Sequence, residues 1–146
     1  MTHRFVEFML LVNAAHKSLL KIKNLEVKDL GLKGSHVMCI FFLGQSESGL
    51  TAAELCEKCK EDKSAISRNL KALYDGEFVT FPENENNYRL VITLSEKGKK
   101  AYSEILEIIE KTVEECGKGL TDEDRKTFYQ SFSLINENLT NVCNTL

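Results

Sequence analysis

Apolar residues recur at three- and four-residue steps through most of this chain. Phe5, Phe8, Val12, Ala15, Leu19 and Ile22 form the first such stripe and predict a helix over residues 2–23. Residues 34–44, with Val37, Met38, Ile40, Phe41 and Phe42, are apolar nearly all round, the pattern of a central helix. "TAAE" at 51–54 is a capping box that opens a short helix ending by about residue 60. Asp62 caps the next, about 63–75, and Gly76 closes it. Two short helices across a tight turn make a helix-turn-helix. The period then drops to two. "FVTF" and "YRLVITL", separated by "PENENN", predict a two-stranded hairpin with a projecting polar tip. Ser95 caps a long helix, about 96–117, carrying Tyr102, Ile105, Leu106, Ile109 and Val113 on one face. Thr121 caps the last helix, with Asp122, Glu123 and Asp124 where the helix dipole favours negative charge. Its stripe is Phe128, Phe132, Ile135, Leu139 and Val142. The long first and last helices carry more apolar surface than a small helix-turn-helix needs, and such a surplus points to a partner chain.

Composition narrows the class. At 146 residues the chain has the length of one domain, and 42% hydrophobic with 28% charged residues excludes disorder. No run of 18 apolar residues suggests a bilayer span. "FVEFMLLVNAAHKSLL" is interrupted by Glu7 and Asn13, which makes it an amphipathic helix rather than a signal peptide. The net charge is −3, so any DNA contact must come from a local patch. Five Cys at no disulfide-framework spacing, without a secretory signal, read as reduced thiols of a cytoplasmic protein.

The segment "DKSAISRNLKALYDGEF" carries the most specific chemistry. Ile66, Leu70 and Leu73 form its inward stripe. Ser64, Ser67, Arg68 and Lys71 form the opposite one, where a merely solvated helix would carry Glu and Lys pairs. Small hydroxyls let a helix approach a groove closely, Arg68 can fork onto a guanine, and Lys71 can neutralise a phosphate. A helix in the major groove needs this order: short side chains near its start and longer cations further along. A solvated face that happens to lack Glu is the alternative.

With the hairpin added, the chain resembles the MarR family of bacterial winged-helix transcription regulators. "LTAAELCEKCKEDKSAISRNLKAL" is similar to the family's helix-turn-helix, and "LVITLSEKG" to its exit from wing to fifth helix. The resemblance runs through the whole chain in order. It implies a mainly α fold: a winged helix-turn-helix with a two-stranded β-wing and long N- and C-terminal dimerisation helices. The division expected is one MarR-like domain over 1–146, with residues 33–94 binding DNA and 1–32 and 95–146 dimerising. The function implied is a sequence-specific homodimeric regulator, a repressor on a near-palindromic double-stranded operator, responsive to a small-molecule effector. By position, Ser64, Ser67, Arg68, Asn69 and Lys71 would be recognition-helix residues, Thr51 and Lys63 would touch phosphates, and Asn87 and Arg89 would be the wing's contacts.

Three departures stand out. Asn86 and Tyr88 occupy the wing positions where the family commonly has Asp and Arg, and Glu83 and Glu85 add negative charge there. Lys60 stands where the turn usually has Gly, and Glu61 where it has an apolar residue. Between residues 51 and 76 five cations (Lys58, Lys60, Lys63, Arg68, Lys71) meet five anions (Glu54, Glu57, Glu61, Asp62, Asp75), so 5 − 5 = 0. Nonspecific affinity should then be modest and steeply salt-dependent. This balance motivates the alternative of a winged-helix protein-interaction module.

The remaining candidates carry less. "CEKC", Cys56 and Cys59, lacks the second pair a zinc site needs and falls where the helix wants core side chains. Cys39 reads as core. Cys116 and Cys143, near helix ends, motivate a third alternative, a thiol-switch regulator. His16 and His36 are the ligand-binding candidates, against satisfied or surface histidines. No metal-ligand spacing, phosphate loop or catalytic arrangement appears, so neither an enzyme nor a cofactor is expected.

Overall fold

Local capping fixes where each helix of the helix-turn-helix segment begins and ends. In the computed structural model, which describes residues 1–82 and 90–146, the elements are α1 (Thr2–Glu26), α2 (Val37–Gln45), α3 (Ala52–Cys59), α4 (Lys63–Asp75), β1 (Val79–Thr80), β2 (Thr93–Leu94), α5 (Glu96–Cys116) and α6 (Asp122–Thr145). Thr51 Oγ1 accepts from Glu54 N–H at 3.2 Å while Thr51 N–H donates to Glu54 Oε2 at 2.7 Å, closing the predicted box on α3. Asp62 Oδ1 accepts from Ala65 N–H at 2.7 Å and starts α4. Between them Lys60 takes φ 56°, ψ 40°, the left-handed conformation the family usually gives to Gly.

The chain forms two compact units, residues 1–108 and 109–146. The core of the first gathers Ile40 and Leu43 of α2, Leu55 of α3, Ile66 and Leu73 of α4, Ile92, and Ile105 of α5, all but excluded from solvent. The antiparallel sheet pairs Val79 with Leu94 and Thr80 with Thr93, and Leu50 bridges Ile92 on its other side. The strands are shorter than the alternating sequence predicts. Pro82, just beyond β1, has no N–H to donate to a ladder. Residues 34–36 form a 3-10 turn rather than the start of α2, because His36 N–H bonds back to Lys33 O.

A lock holds the end of α4 against α5. Glu77 turns the chain with φ 61°, and Phe78 N–H returns to Leu73 O at 2.8 Å. Ser95 Oγ donates to Glu77 O at 2.6 Å and accepts from Gly98 N–H at 3.0 Å. Lys97 Nζ donates to Gly76 O at 2.7 Å and lies 4.3 Å over the Phe78 ring. Gly98 lies directly against the Phe78 carbonyl, which leaves no room for a Cβ.

The second unit holds the end of α5 and all of α6. Thr121 caps α6 through a capping box with Asp124, whose carboxyl these hydrogen bonds hold below its usual pKa. Arg125 donates to Gly117 O at 2.9 Å across the turn between the helices. No residue of α6 is buried, and none of α1. Among the described residues no helix is long and apolar enough to cross a membrane.

Candidate nucleic-acid interface

α4 divides as its sequence predicts. Ile66, Leu70 and Leu73 are buried, while Lys63, Ser64, Ser67, Arg68 and Lys71 are exposed. The 3.6-residue period puts these two sets on opposite sides of one helix. α4 is pinned at both ends, by Asp62 at its start and by Lys97 and Phe78 at its close. Such anchoring presents the exposed face in a fixed orientation.

The exposed groups differ in how free they are. Arg68 Nη1 lies 3.5 Å from Ser64 Oγ, too long to hold it, so the guanidinium fork keeps its donors for a ligand. Lys71 Nζ is 2.9 Å from Asp75 Oδ2, and that hydrogen bond and charge raise its pKa. Both partners of the pair are exposed, so a phosphate can compete for the ammonium. Asn69 is half-buried, and its amide donates to Ser35 O at 3.0 Å, tying α4 to the turn before α2. Its geometry is that of an internal tether. Thr51 donates its hydroxyl proton to Glu54 at 3.1 Å, so its side chain serves the cap. Asn87 and Arg89 of the wing, with Glu83, Glu85, Asn86 and Tyr88, lie outside the described residues.

The two histidines part company. His16 is exposed on α1. His36 is buried, and its Nδ1 accepts from Lys33 N–H at 3.2 Å. Burial, and then the Lys33 charge, lower its pKa. It is a satisfied core histidine that shapes the turn before α2. Among the described residues no group of three or more His, Cys, Asp and Glu is arranged to hold a metal ion.

One arrangement escapes a reading of the sequence. Cys39 of α2 and Cys59 of α3 line one small cavity together with Asn69. Cys59 is half-buried there and Cys39 is buried. Their positions on separate helices gave no spacing to find, and the adjacent Cys56 drew attention to a pairing within α3 instead.

With this geometry established, residues 30–89 match the model of the MarR family. A helix-turn-helix-type transcriptional regulator of Bacillus subtilis, YybA, is 26% identical over 124 residues, covering 84% of this chain and 82% of the relative. This chain is similar to the MarR family over its helix-turn-helix segment. Solved structures of MarR proteins share its fold. A MarR family regulator of Listeria monocytogenes, crystallised with a 26-mer DNA, superposes with a TM-score of 0.83 at 21% identity, over 91% of this chain and 89% of that one. A MarR of Staphylococcus aureus, solved with salicylate and kanamycin, gives 0.81 at 15% identity, over 95% and 94%. At such identities the likeness establishes the winged helix-turn-helix fold alone. The side chains on α4 must supply any statement about what this chain binds.

Proposed function

We propose that this protein is a MarR-type regulator, a cytoplasmic, homodimeric repressor that reads a near-palindromic operator by laying α4 in successive major grooves. The observation that carries this reading is the exposed face of Ser64, Ser67, Arg68 and Lys71 on a helix anchored at both ends. Arg68 reads a base edge, Ser64 and Ser67 allow close approach, and Lys63 and Lys71 meet phosphates. Residues 33–94 form the DNA-reading lobe, and 1–32 and 95–146 the dimerising helices. The exposed apolar side chains of α1 (Phe5, Met9, Leu10) and of α6 (Phe128, Ile135, Leu139) are covered by a second copy. Repression answers to a small-molecule effector that favours one spacing of the two lobes, a role supported by the salicylate in the Staphylococcus relative. No reaction is assigned to the chain.

Selection of bound sequences from random duplexes, followed by titration of the winner at two salt concentrations, tests the reading. A near-palindromic winner with a marked salt slope is expected. A folded dimer that enriches nothing at low salt contradicts it. That result would favour a protein-binding winged helix, for which the engagement of Lys71 with Asp75 and of Asn69 with Ser35 speaks.

A further inference from the structure

The turn before α2 is gripped from two sides. Asn24, in the last turn of α1, accepts from Gly34 N–H through Oδ1 at 2.7 Å. Asn69, midway along α4, donates from Nδ2 to Ser35 O at 3.0 Å. Each carboxamide offers the atom that the backbone group demands, an acceptor for the N–H and a donor for the C=O. The turn between them is itself closed. His36 N–H bonds to Lys33 O at 2.9 Å, and Lys33 N–H returns to His36 Nδ1 at 3.2 Å. The end of α1 comes so near that a Cβ on residue 34 would meet Asn24 Oδ1 at 2.7 Å and Lys23 Cβ at 3.0 Å. Gly34 permits that approach.

Packing alone does not fix this junction. A cavity of about 40 Å³ lies where Lys23 of α1, Gly34 and Ser35 of the turn, Cys39 of α2 and Asn69 of α4 come together. Interlocking side chains set the angle between packed helices, and an unfilled space leaves that angle less determined. The two hydrogen bonds run beside the gap, one from α1 to the turn and one from the turn to α4.

We propose that Asn24 and Asn69 are positioning residues, which with the turn form a strut that holds α4 at a set angle to α1 and so sets the half-site separation the protein accepts. The inference rests on the proposed function, in which α1 helps to join two copies and α4 reads DNA. Paired reading helices fit half-sites about one helical turn, or a multiple of it, apart. A tilt of α4 against the dimerising helix moves each reading helix off its groove. Asn69 therefore acts on spacing through the turn, whereas Arg68 acts on base identity from the exposed face of the same helix.

The test remakes a selected duplex with one base pair added at its centre, and again with one removed, and titrates the full-length protein on all three. Each change turns and shifts one half-site against the other, so the wild type should prefer the selected spacing by about tenfold. Asn24→Ala and Asn69→Ala should select the same half-site sequence and narrow that preference to about threefold or less. Asn24→Asp keeps an acceptor for Gly34 N–H and should restore the wild-type preference. An Asn24→Ala protein that weakens on all three duplexes alike, or keeps the full preference, overturns the strut. Amide NMR spectra of the free protein give a second reading. Asn24→Ala should shift the side-chain amide signals of Asn69, and Asn24→Asp should leave them near their wild-type positions. Asn69 signals indifferent to Asn24→Ala overturn the strut as well. Absence of DNA binding by the wild type counts against the proposed function, and the amide signals still decide whether the two asparagines are coupled.

Discussion

Arg68 holds the guanidinium on which sequence reading should depend most, because its contact to Ser64 on its own helix is long, at 3.5 Å. Replacing it with Ala is expected to weaken operator binding by roughly 1–3 kcal/mol and to relax preference at one base position, measured by fluorescence anisotropy. Lys71→Ala should instead weaken binding to all sequences alike and reduce the salt slope. Equal losses on every duplex for Arg68→Ala would show that it meets phosphate only. His36 makes a different prediction. Its folded pKa is lowered from 6.5, so below that value the unfolded chain binds more protons than the folded one. Its contribution to stability is therefore complete above about pH 6.5 and is lost as the pH falls through the folded pKa. Protonating Nδ1 also removes the acceptor of the Lys33 N–H. Urea midpoints should fall from about pH 7.5 to 5.5 in the wild type and fall less in His36→Gln. Parallel curves for the two proteins would contradict this account. The alternation along α4 was legible because it follows from helix period alone. The Asn69 tether to Ser35 was not, because it spans 34 residues and depends on packing. Cys39 and Cys59 stayed hidden for the same reason.

Among the elements, the turn between α3 and α4 carries a conformational cost that the sequence already announced. Lys60 stands in a left-handed conformation that a side chain disfavours by about 1–2 kcal/mol, partly offset because Gly would gain more freedom on unfolding. Lys60→Gly is expected to raise stability by up to about 1 kcal/mol in denaturant titrations. A loss of stability would mean that the Lys60 side chain makes a compensating contact. The caps at Thr51, Asp62 and Thr121 were readable from neighbouring residues because each is satisfied within one helical turn. The strands were not. Their alternation predicts long partners, yet the pairs formed are Val79 with Leu94 and Thr80 with Thr93, and Ile92 turns instead to Leu50. Pairing is decided across the chain, and no local pattern shows which edge a residue will meet.

At the scale of the whole molecule, the proposed dimer rests on the apolar faces of α1 and α6. Leu10 and Phe5 on α1, and Phe128 and Ile135 on α6, lie exposed. Leu10→Glu with Ile135→Glu is expected to shift sedimentation from dimer to monomer at micromolar concentration. A wild-type monomer would remove the paired-lobe geometry on which operator reading depends. The central claim is that two copies of α4 read DNA together, and a footprint tests it most directly. Hydroxyl-radical cleavage of a selected duplex bound by the full-length protein should show two symmetric protected patches, with their centres about one helical turn, or a multiple of it, apart. Arg68→Ala should lose both patches at the same concentration. A single patch, or protection spread evenly along any duplex, would contradict the account.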